Sequence, residues 1–581
     1  MRYFVIIMLA GAMMGFIMAP GRVLAQGDTL VIYANNALTL DQVINGDTVA
    51  GGAKIHHVYK LVSLDTTYIF DGTVTTNENI TVLGVPHPSS GKLPCIQPDV
   101  LLDNSIPGLL FTLDGAKTTG VFKNLYLLGI AINNSVNYGS GQAIQLSADS
   151  IRLEADNCVF EQWSQFAIGY AGNWDKFFIT NCKFRNMTTL PNQWYVGELL
   201  RNENYIGAFK TDTIMIKYNT MLCVSGYATA ATGGFVSYYE FSHNNVIYTF
   251  KNPFFLDRMV NAVFNNNIFY NVYAGGQNKT EYNGGWDSFT AGTVASIITM
   301  GPLDSTTAAL LLGHASTGAG DPAAELLRKI EVKNNVYFWS SGLTNYWTAW
   351  NDTAHVDSIY TPEFMNAQSL NMFNTPAQWP LLVASGNQNV DPGFGASIDG
   401  VLNSSGGANG VGLLSWFAAV RTGTGTTETY GYNFTQVGSG AWTPPWPLPE
   451  SADMQYTSAP VKNSSTDGRP EGDPYWWTGT PTGVKTTNPA ATPAKFELWA
   501  AYPNPFNPST NIRYTLNASG ATSLKVYNVL GQLVKTVVDN VNQNPARYNV
   551  NVDMSGLNSG VYVYVLEQGN RRLSQKMMLL K

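Results

Sequence analysis

Six carboxylates stand among short strand-like runs where a repeated backbone could aim them at a substrate: Glu154, Asp156, Asp175, Asp212, Glu240 and Asp257. Acid–base cleavage of a glycosidic bond needs two carboxyl groups about 5–10 Å apart. Counted back from an asparagine that recurs in their neighbourhood, these six fall at differing offsets, so they do not stack into a cluster. Asp257-Arg258 is the most suggestive pair, yet successive strand residues point to opposite faces, which argues against a shared site. A solvated strand face accounts for them more simply. The histidines, His56, His57, His87, His243, His314 and His355, lack metal-ligand spacing, and HExxH, nucleophile-elbow and phosphate-loop patterns are absent. Aromatic residues are the better lead. Trp286 falls in a long insertion, and Tyr346, Trp347 and Trp350 are expected in a polar loop, where ring faces beside Asn and Asp could stack on sugar rings. These four are the candidate carbohydrate-binding residues; the competing reading has them covering the flank of the fold.

The element that would position all of these is a repeated phrase. Aligned on an asparagine it reads LEADNCVF around Asn157, FITNCKF around Asn181, IKYNTML around Asn219, FSHNNVI around Asn244, VFNNNIF around Asn266 and VKNNVYF around Asn334. The short steps between them suit stacked repeats, and the long ones look like one rung plus an insertion. Each copy is a strand–turn–strand unit that cannot bury its apolar side alone but can when stacked about 4.8 Å from its neighbours. The fold expected is all-β: a right-handed parallel β-helix solenoid followed by a small Ig-like antiparallel β-sandwich. A leucine-rich repeat is set aside because its fixed leucine spacing is missing. Asn tolerates left-handed dihedrals at a turn and bonds its own backbone. Repeated at one corner, its amides can also bond each other up the stack. Asn157, Asn181, Asn219, Asn244, Asn266 and Asn334 are therefore expected to form a structural ladder rather than to bind a ligand.

Composition agrees with strands and turns: 13% charged residues, 55 Gly and 30 Tyr in 581 residues. A formal charge of −7 without any Lys/Arg run argues against nucleic acid. Residues 1–25 have the pattern of a secretory signal, with Arg2, an uncharged apolar run from Phe4 to Ala19, and Val23-Leu24-Ala25 before Gln26. No further segment reaches transmembrane length. Cys158 and Cys182 each follow a repeated Asn, so they should lie on adjacent rungs; buried thiols are favoured over a bond, since neighbours in a parallel ladder seldom offer suitable Cβ geometry. Cys95 and Cys223 show no partner, and no metal-site spacing appears.

In order along the chain, Thr39-Leu40-Asp41-Gln42 is a capping-box pattern for a short helix that could close the solenoid. Insertions are expected near 190–209 and 274–327; the second ends in Asp321-Pro322, a helix start. Thr361-Pro362 and Thr375-Pro376 suggest helices near 362–370 and 376–382. The solenoid domain should run from 26 to 485, with a linker at 486–495 and a separate module at 496–581.

That module carries Tyr502-Pro503-Asn504-Pro505-Phe506-Asn507-Pro508, Val526-Tyr527-Asn528, Leu530-Gly531-Gln532, Ser559-Gly560-Val561-Tyr562 and a final Lys576-Met577-Met578-Leu579-Leu580-Lys581. It resembles the C-terminal type A sorting domain of the type IX secretion system. The resemblance implies passage across the outer membrane by that machinery, then release or attachment at the cell surface. The body is similar to the pectate-lyase-like superfamily of right-handed β-helices, and to surface proteins ending in a DG-x-P-x-GD-x-x-W phrase, here Asp467 to Trp476. In that superfamily lyases hold Ca²⁺ on a carboxylate cluster and use a basic residue as proton acceptor. The expectation is a secreted or cell-surface protein contacting polysaccharide or the cell envelope without clear catalysis. A polysaccharide lyase or glycoside hydrolase is the first alternative, with Ca²⁺ as cofactor only if it is a lyase. A structural surface-layer or adhesin component is the second.

Overall fold

The computed structural model describes residues 24–478 and 496–580, apart from 35–37, 64–65, 133–140, 189–195, 204–208, 232–233, 257–258, 279–293, 354–357, 405–410, 424–429, 433–445, 544–545 and single positions at 449, 451, 466, 468, 500, 502, 503 and 505. It divides into two compact units, Met1–Gly483 and Val484–Lys581.

In the first unit the chain lays a strand on each of three faces in turn. One such turn runs from Arg152–Asp156 through Val159–Glu161 and Phe166–Tyr170, and Asp175–Thr180 then pairs in register with the strand that began it. Among the described residues the first face has twelve strands, the second ten and the third seven, and on the first face only the opening pair, Leu24–Gln26 with Thr29–Tyr33, is antiparallel. This is a parallel β-helix. Alternation drives the packing: Leu153 and Ala155 point inward while Arg152 and Glu154 point out. Like residues stack along the axis, as Phe160 does on Phe184 with ring centres 4.9 Å apart. A single core extends from Leu30 to Leu382. The expected capping helix, Leu40–Gly46, puts Leu40 and Ile44 into that core.

The corner between the first and second faces holds two adjacent columns, and the six aligned asparagines divide between them. Asn157, Asn181, Asn266 and Asn334 occupy a left-handed turn position, with φ of 51, 56, 59 and 51°. In the rungs of Asn219 and Asn244 that position belongs to Tyr218 and His243. Asn219 and Asn244 lie one residue on, pointing inward, in a column continued by Asn267, Asn335 and Asn387. Here the amides form a continuous ladder: Asn219 Nδ2 donates to Asn244 Oδ1 (3.0 Å), Asn244 to Asn267 (3.1 Å), Asn267 to Asn335 (2.9 Å) and Asn335 to Asn387 (2.8 Å). Cys158 and Cys182 fill the same inward column in earlier rungs. All four cysteines are buried free thiols.

Several expectations about irregular segments need correction. The stretch near 190–209 contains a rung strand, Glu198–Asn202, paired with Phe166–Tyr170. Within 274–327, Ser296–Ile298 pairs with Glu363–Met365 to make a small parallel sheet. Asp321 caps the helix Pro322–Glu325, with Pro at its first position, as its sequence requires. The helix foreseen near 362–370 begins only at Ala367, because Glu363–Met365 is that sheet's second strand. Residues 376–381 are turns leading into strand Leu382–Ser385, where pairing with Lys329–Lys333 prevails over the Thr-Pro helix start.

Residues 390–478 form a strap over the outward side of the second face. Trp416 and Phe417, on the helix Leu413–Thr422, pack on Phe250. Tyr432 exchanges hydrogen bonds with Asn186, and Trp446 reaches Ser90 O at 3.0 Å. The second unit is a sandwich of a three-stranded and a four-stranded antiparallel sheet, sharing a core that includes Ile512, Tyr514, Val552, Leu524, Val526 and Leu566.

Candidate functional site on the third face

On the third face, among the described residues, the rungs present an outward column that is at least partly exposed at Thr75, Thr112, Gln145 and Arg201 and closed over at Gly169 and Ala230. Thr75, Thr112, Gln145, Gly169, Arg201, Ala230 and Phe255 are register partners on consecutive strands. Their neighbours Val74, Ile144, Ile168 and Leu200 are core residues, so alternation turns this column outward. At about 4.8 Å per strand it spans about 29 Å.

One end opens into a polar pocket of about 360 Å³ lined by Asn45, Thr48, Lys54, Thr75, Asn77 and Asp114. The cap helix and the bridge between Thr48 and Lys54 wall it in. At the other end Tyr227 and Phe255 stack at 5.3 Å. Midway, Gly169 leaves a cradle that a Cβ would fill, and the Glu203 carboxyl and Gln142 amide occupy it. Gln142 Nε2 donates to Glu203 Oε2 at 3.2 Å. Burial raises the Glu203 carboxyl above its ordinary pKa, only partly offset by Gln142 and Arg201. Beside it Arg201 is held on Glu198 by two bonds of 2.8 and 3.1 Å, and the Glu198 side chain is fully buried.

The carboxylates singled out from sequence lie elsewhere. On the first face Glu154 pairs with Arg152 at 2.7 Å, Asp212 with Lys176 at 3.4 Å, and Glu240 with Lys217 at 2.7 Å. Asp156 accepts from Thr180 and Asn181. Asp175 is buried at a corner, where burial pushes its carboxyl up to about 7 while Ile151 N donates to it. Asp257 and Arg258 are outside the described residues, as is Trp286. Among the described residues, no three His, Cys, Asp or Glu side chains converge as metal ligands.

Tyr346, Trp347 and Trp350 lie on a helix, Ser341–Asp352, and not in a polar loop. Leu343, Trp347 and Trp350 share its buried face. Trp347 Nε1 donates to Ala274 O at 2.9 Å, and Tyr346 packs on Phe417 of the strap. Their ring faces are spent on packing. Ser340 starts the helix and the i, i+4, i+7 spacing of Leu343, Trp347 and Trp350 sets its buried side, a helical period that the surrounding polar residues obscure.

The DG-x-P-x-GD-x-x-W phrase is a latch for the strap. Asp473, with no exposed side-chain surface, accepts from Lys183 Nζ (2.7 Å) and Thr220 Oγ1 (2.8 Å), while its N–H donates to Asn245 Oδ1 (3.0 Å). Trp476 Nε1 donates to Thr220 Oγ1 at 2.5 Å. Nearby, Arg185 lies between Glu161 at 2.7 Å and Glu450 at 2.6 Å, all three buried, and Tyr126 donates to Glu161. These charges cross from the second face to the strap, so they hold it rather than await a ligand. His243 stacks on Tyr218 and reaches Asp467 of the same phrase at 3.2 Å.

In the second unit, residues 500–580 match the family described as the secretion system C-terminal sorting domain. A comparison of the chain with curated proteins finds no match. Among the described residues no helix is long and apolar enough to cross a membrane. The sorting domain is recognised by the type IX secretion machinery and places the protein at the outer surface or outside the cell.

Proposed function

We propose that this exported β-helix protein holds a polysaccharide strand along the third face, without cleaving it. The observation that carries the reading is the outward column from Thr75 to Phe255, polar along most of its length and ended by an aromatic stack. Hydroxyl and amide side chains at regular strand spacing suit a polymer whose own hydroxyls repeat along its length. Binding is favoured over cleavage because Glu198, the carboxylate beside Glu203, is bonded by Arg201 and is not free to serve as nucleophile or base. A second reading, glycoside cleavage, draws on Glu203, whose raised pKa suits a general acid.

The test applies the full chain to a glycan array and then to the bound glycans in assays for reducing ends and unsaturated products. Retention without product, weakened about fivefold or more by Thr112→Ala or Gln145→Ala, supports the reading; one lost hydrogen bond to a hydroxyl is worth that much. Product formation abolished by Glu203→Gln would replace it with the second.

A further inference from the structure

We infer that the third face takes a neutral, hydroxyl-bearing glycan and not a polyuronate. The inference rests on the glycan reading above and narrows it. A polyuronate brings one carboxylate per sugar, and burying these along a groove requires matching cations. Among the described residues the column offers one cation, Arg201, and its guanidinium is fixed on Glu198. Cations near the column are committed as well. Lys54 at the pocket donates to Ile44 O at 2.6 Å, and burial lowers its pKa. Lys251, 4% exposed, lies over the Tyr227 ring at 4.4 Å. Carboxyl groups, in contrast, recur: Asp114 at the pocket and Glu198 midway. The chain's formal charge of −7 adds a repulsive field for any approaching polyanion.

The pairing of Glu203 with Gln142 fits the same picture. Glu203 Oε1 and Gln142 Oε1 are both buried without a partner, and both hang over Gly169. A protonated Glu203 uses both orphans at once, its O–H turned to Gln142 Oε1 while Gln142 Nε2 donates back to Oε2. An acid–amide pair of that kind carries no charge. With Thr75, Thr112 and Gln145 it offers hydroxyl and amide groups that both donate and accept, as sugar hydroxyls do.

Titration calorimetry on the full chain with xylohexaose, mannohexaose and cellohexaose, against hexagalacturonate and hexaguluronate, tests the inference. At least one neutral hexasaccharide should bind about tenfold or more tighter than either uronate. Its affinity should hold between about 20 and about 200 mM salt, because no ion pair forms, and Gln145→Ala should weaken it about fivefold. A uronate that binds more tightly and is lost in Gln145→Ala overturns the neutral class while leaving the glycan reading in place. Binding of neither kind, or binding indifferent to Gln145→Ala, overturns both.

Discussion

Asn244→Ala tests the inward asparagine column as the tie between rungs. Asn244 Oδ1 accepts from Asn219 N (2.9 Å) and Asn219 Nδ2 (3.0 Å); its Nδ2 donates to Ile216 O (2.9 Å) and Asn267 Oδ1 (3.1 Å). Alanine deletes all four bonds, but not every partner is orphaned. Asn219 Nδ2 keeps Ile179 O and Lys217 O, and Asn267 Oδ1 keeps the Asn244 N–H. The Asn219 N–H loses its acceptor in a fully buried site, and Ile216 O loses its side-chain donor. A buried orphan costs about 1–3 kcal/mol and a lost bond about 1 kcal/mol, so the expected cost is about 2–4 kcal/mol. Asn157→Ala is the contrast. It removes one bond, to Asn124 Oδ1 at 2.8 Å, and puts Ala at φ of 51°. Left-handed strain of about 1 kcal/mol and one part-exposed bond bring that to about 1–2 kcal/mol.

Stability in a solenoid is a sum of rung and interface contributions, so the loss should be read locally. Native-state hydrogen exchange at the Asn219 amide should accelerate by about 30- to 700-fold in Asn244→Ala, since each 1.4 kcal/mol is tenfold. Exchange around Asn157 should accelerate only about tenfold in Asn157→Ala. An Asn219 amide exchanging within about threefold of the parent rate, or the two variants ranking in reverse, would refute the assignment of the ladder to the inward column.

Four further outcomes follow from the strap and the cap. Gly472 has φ of 73° and a Cβ there would run into Asn245 Oδ1, so Gly472→Ala should undock the strap, read as new thermolysin cuts within 390–478 with first-face exchange unchanged. Lys183→Met leaves Asp473 buried without its cation and should cost about 3–5 kcal/mol of strap stability, measured by urea titration of the same cuts. Burial pushes the Glu471 carboxyl up to about 8, above its unfolded value, so its contribution is complete below that unfolded value and is lost as pH rises through about 8. Strap protection should fall across that window, and Glu471→Gln should flatten the fall. At the other end His57 bonds Asp28 at 2.9 Å and Glu78 at 3.0 Å, which raises its pKa and lowers that of Asp28. Amide protection at 57–62 should therefore decline both as pH rises through the raised His57 value and as it falls through the lowered Asp28 value, and His57→Ala should abolish the upper limb.

The period of the solenoid was legible because strand, turn and strand recur around an Asn. The register of its ladder was not, because two side chains share the corner. Where the phrase carries two asparagines, as at Asn266-Asn267 and Asn334-Asn335, the first takes the left-handed turn and the second enters the ladder. His243-Asn244 and Tyr218-Asn219 carry only the second, and aligning on a single letter merged the columns. Left-handed tyrosine is uncommon, and although histidine is enriched there, aligning on asparagine passes over both. The third-face column was hidden for a different reason: Thr, Thr, Gln, Gly, Arg, Ala and Phe have no common chemistry, and only strand pairing shows them to be neighbours. Arg201 and Glu203 looked like parts of an insertion until Glu198–Asn202 proved to be a strand. Trp347 and Trp350 read as loop residues because the strap that buries them is distant in sequence, and Trp286 lies outside the described residues.

That strap also decides which surface is left for a ligand. On the second face the outward residues Lys183, Arg185, Thr220 and Asn245 are bonded to residues 450–476, so a polymer could reach them only by displacing buried ion pairs, at several kcal/mol each. On the first face the outward charges satisfy one another along the sheet, as Arg152 does with Glu154 and Lys333 with Glu331, and Arg152 covers Phe178 at 3.8 Å. Those pairs are part-exposed and individually weak, but among the described residues the face presents a mosaic of charged, apolar and polar side chains. Among the described residues the strap lies on the second face, and the third carries Thr75, Thr112 and Gln145 in one line. Swapping Thr112 or Gln145 should therefore change ligand retention, whereas swapping Lys333 on the first face should leave it intact. Equal losses from both faces would mean that the elimination, and with it the choice of groove, is wrong.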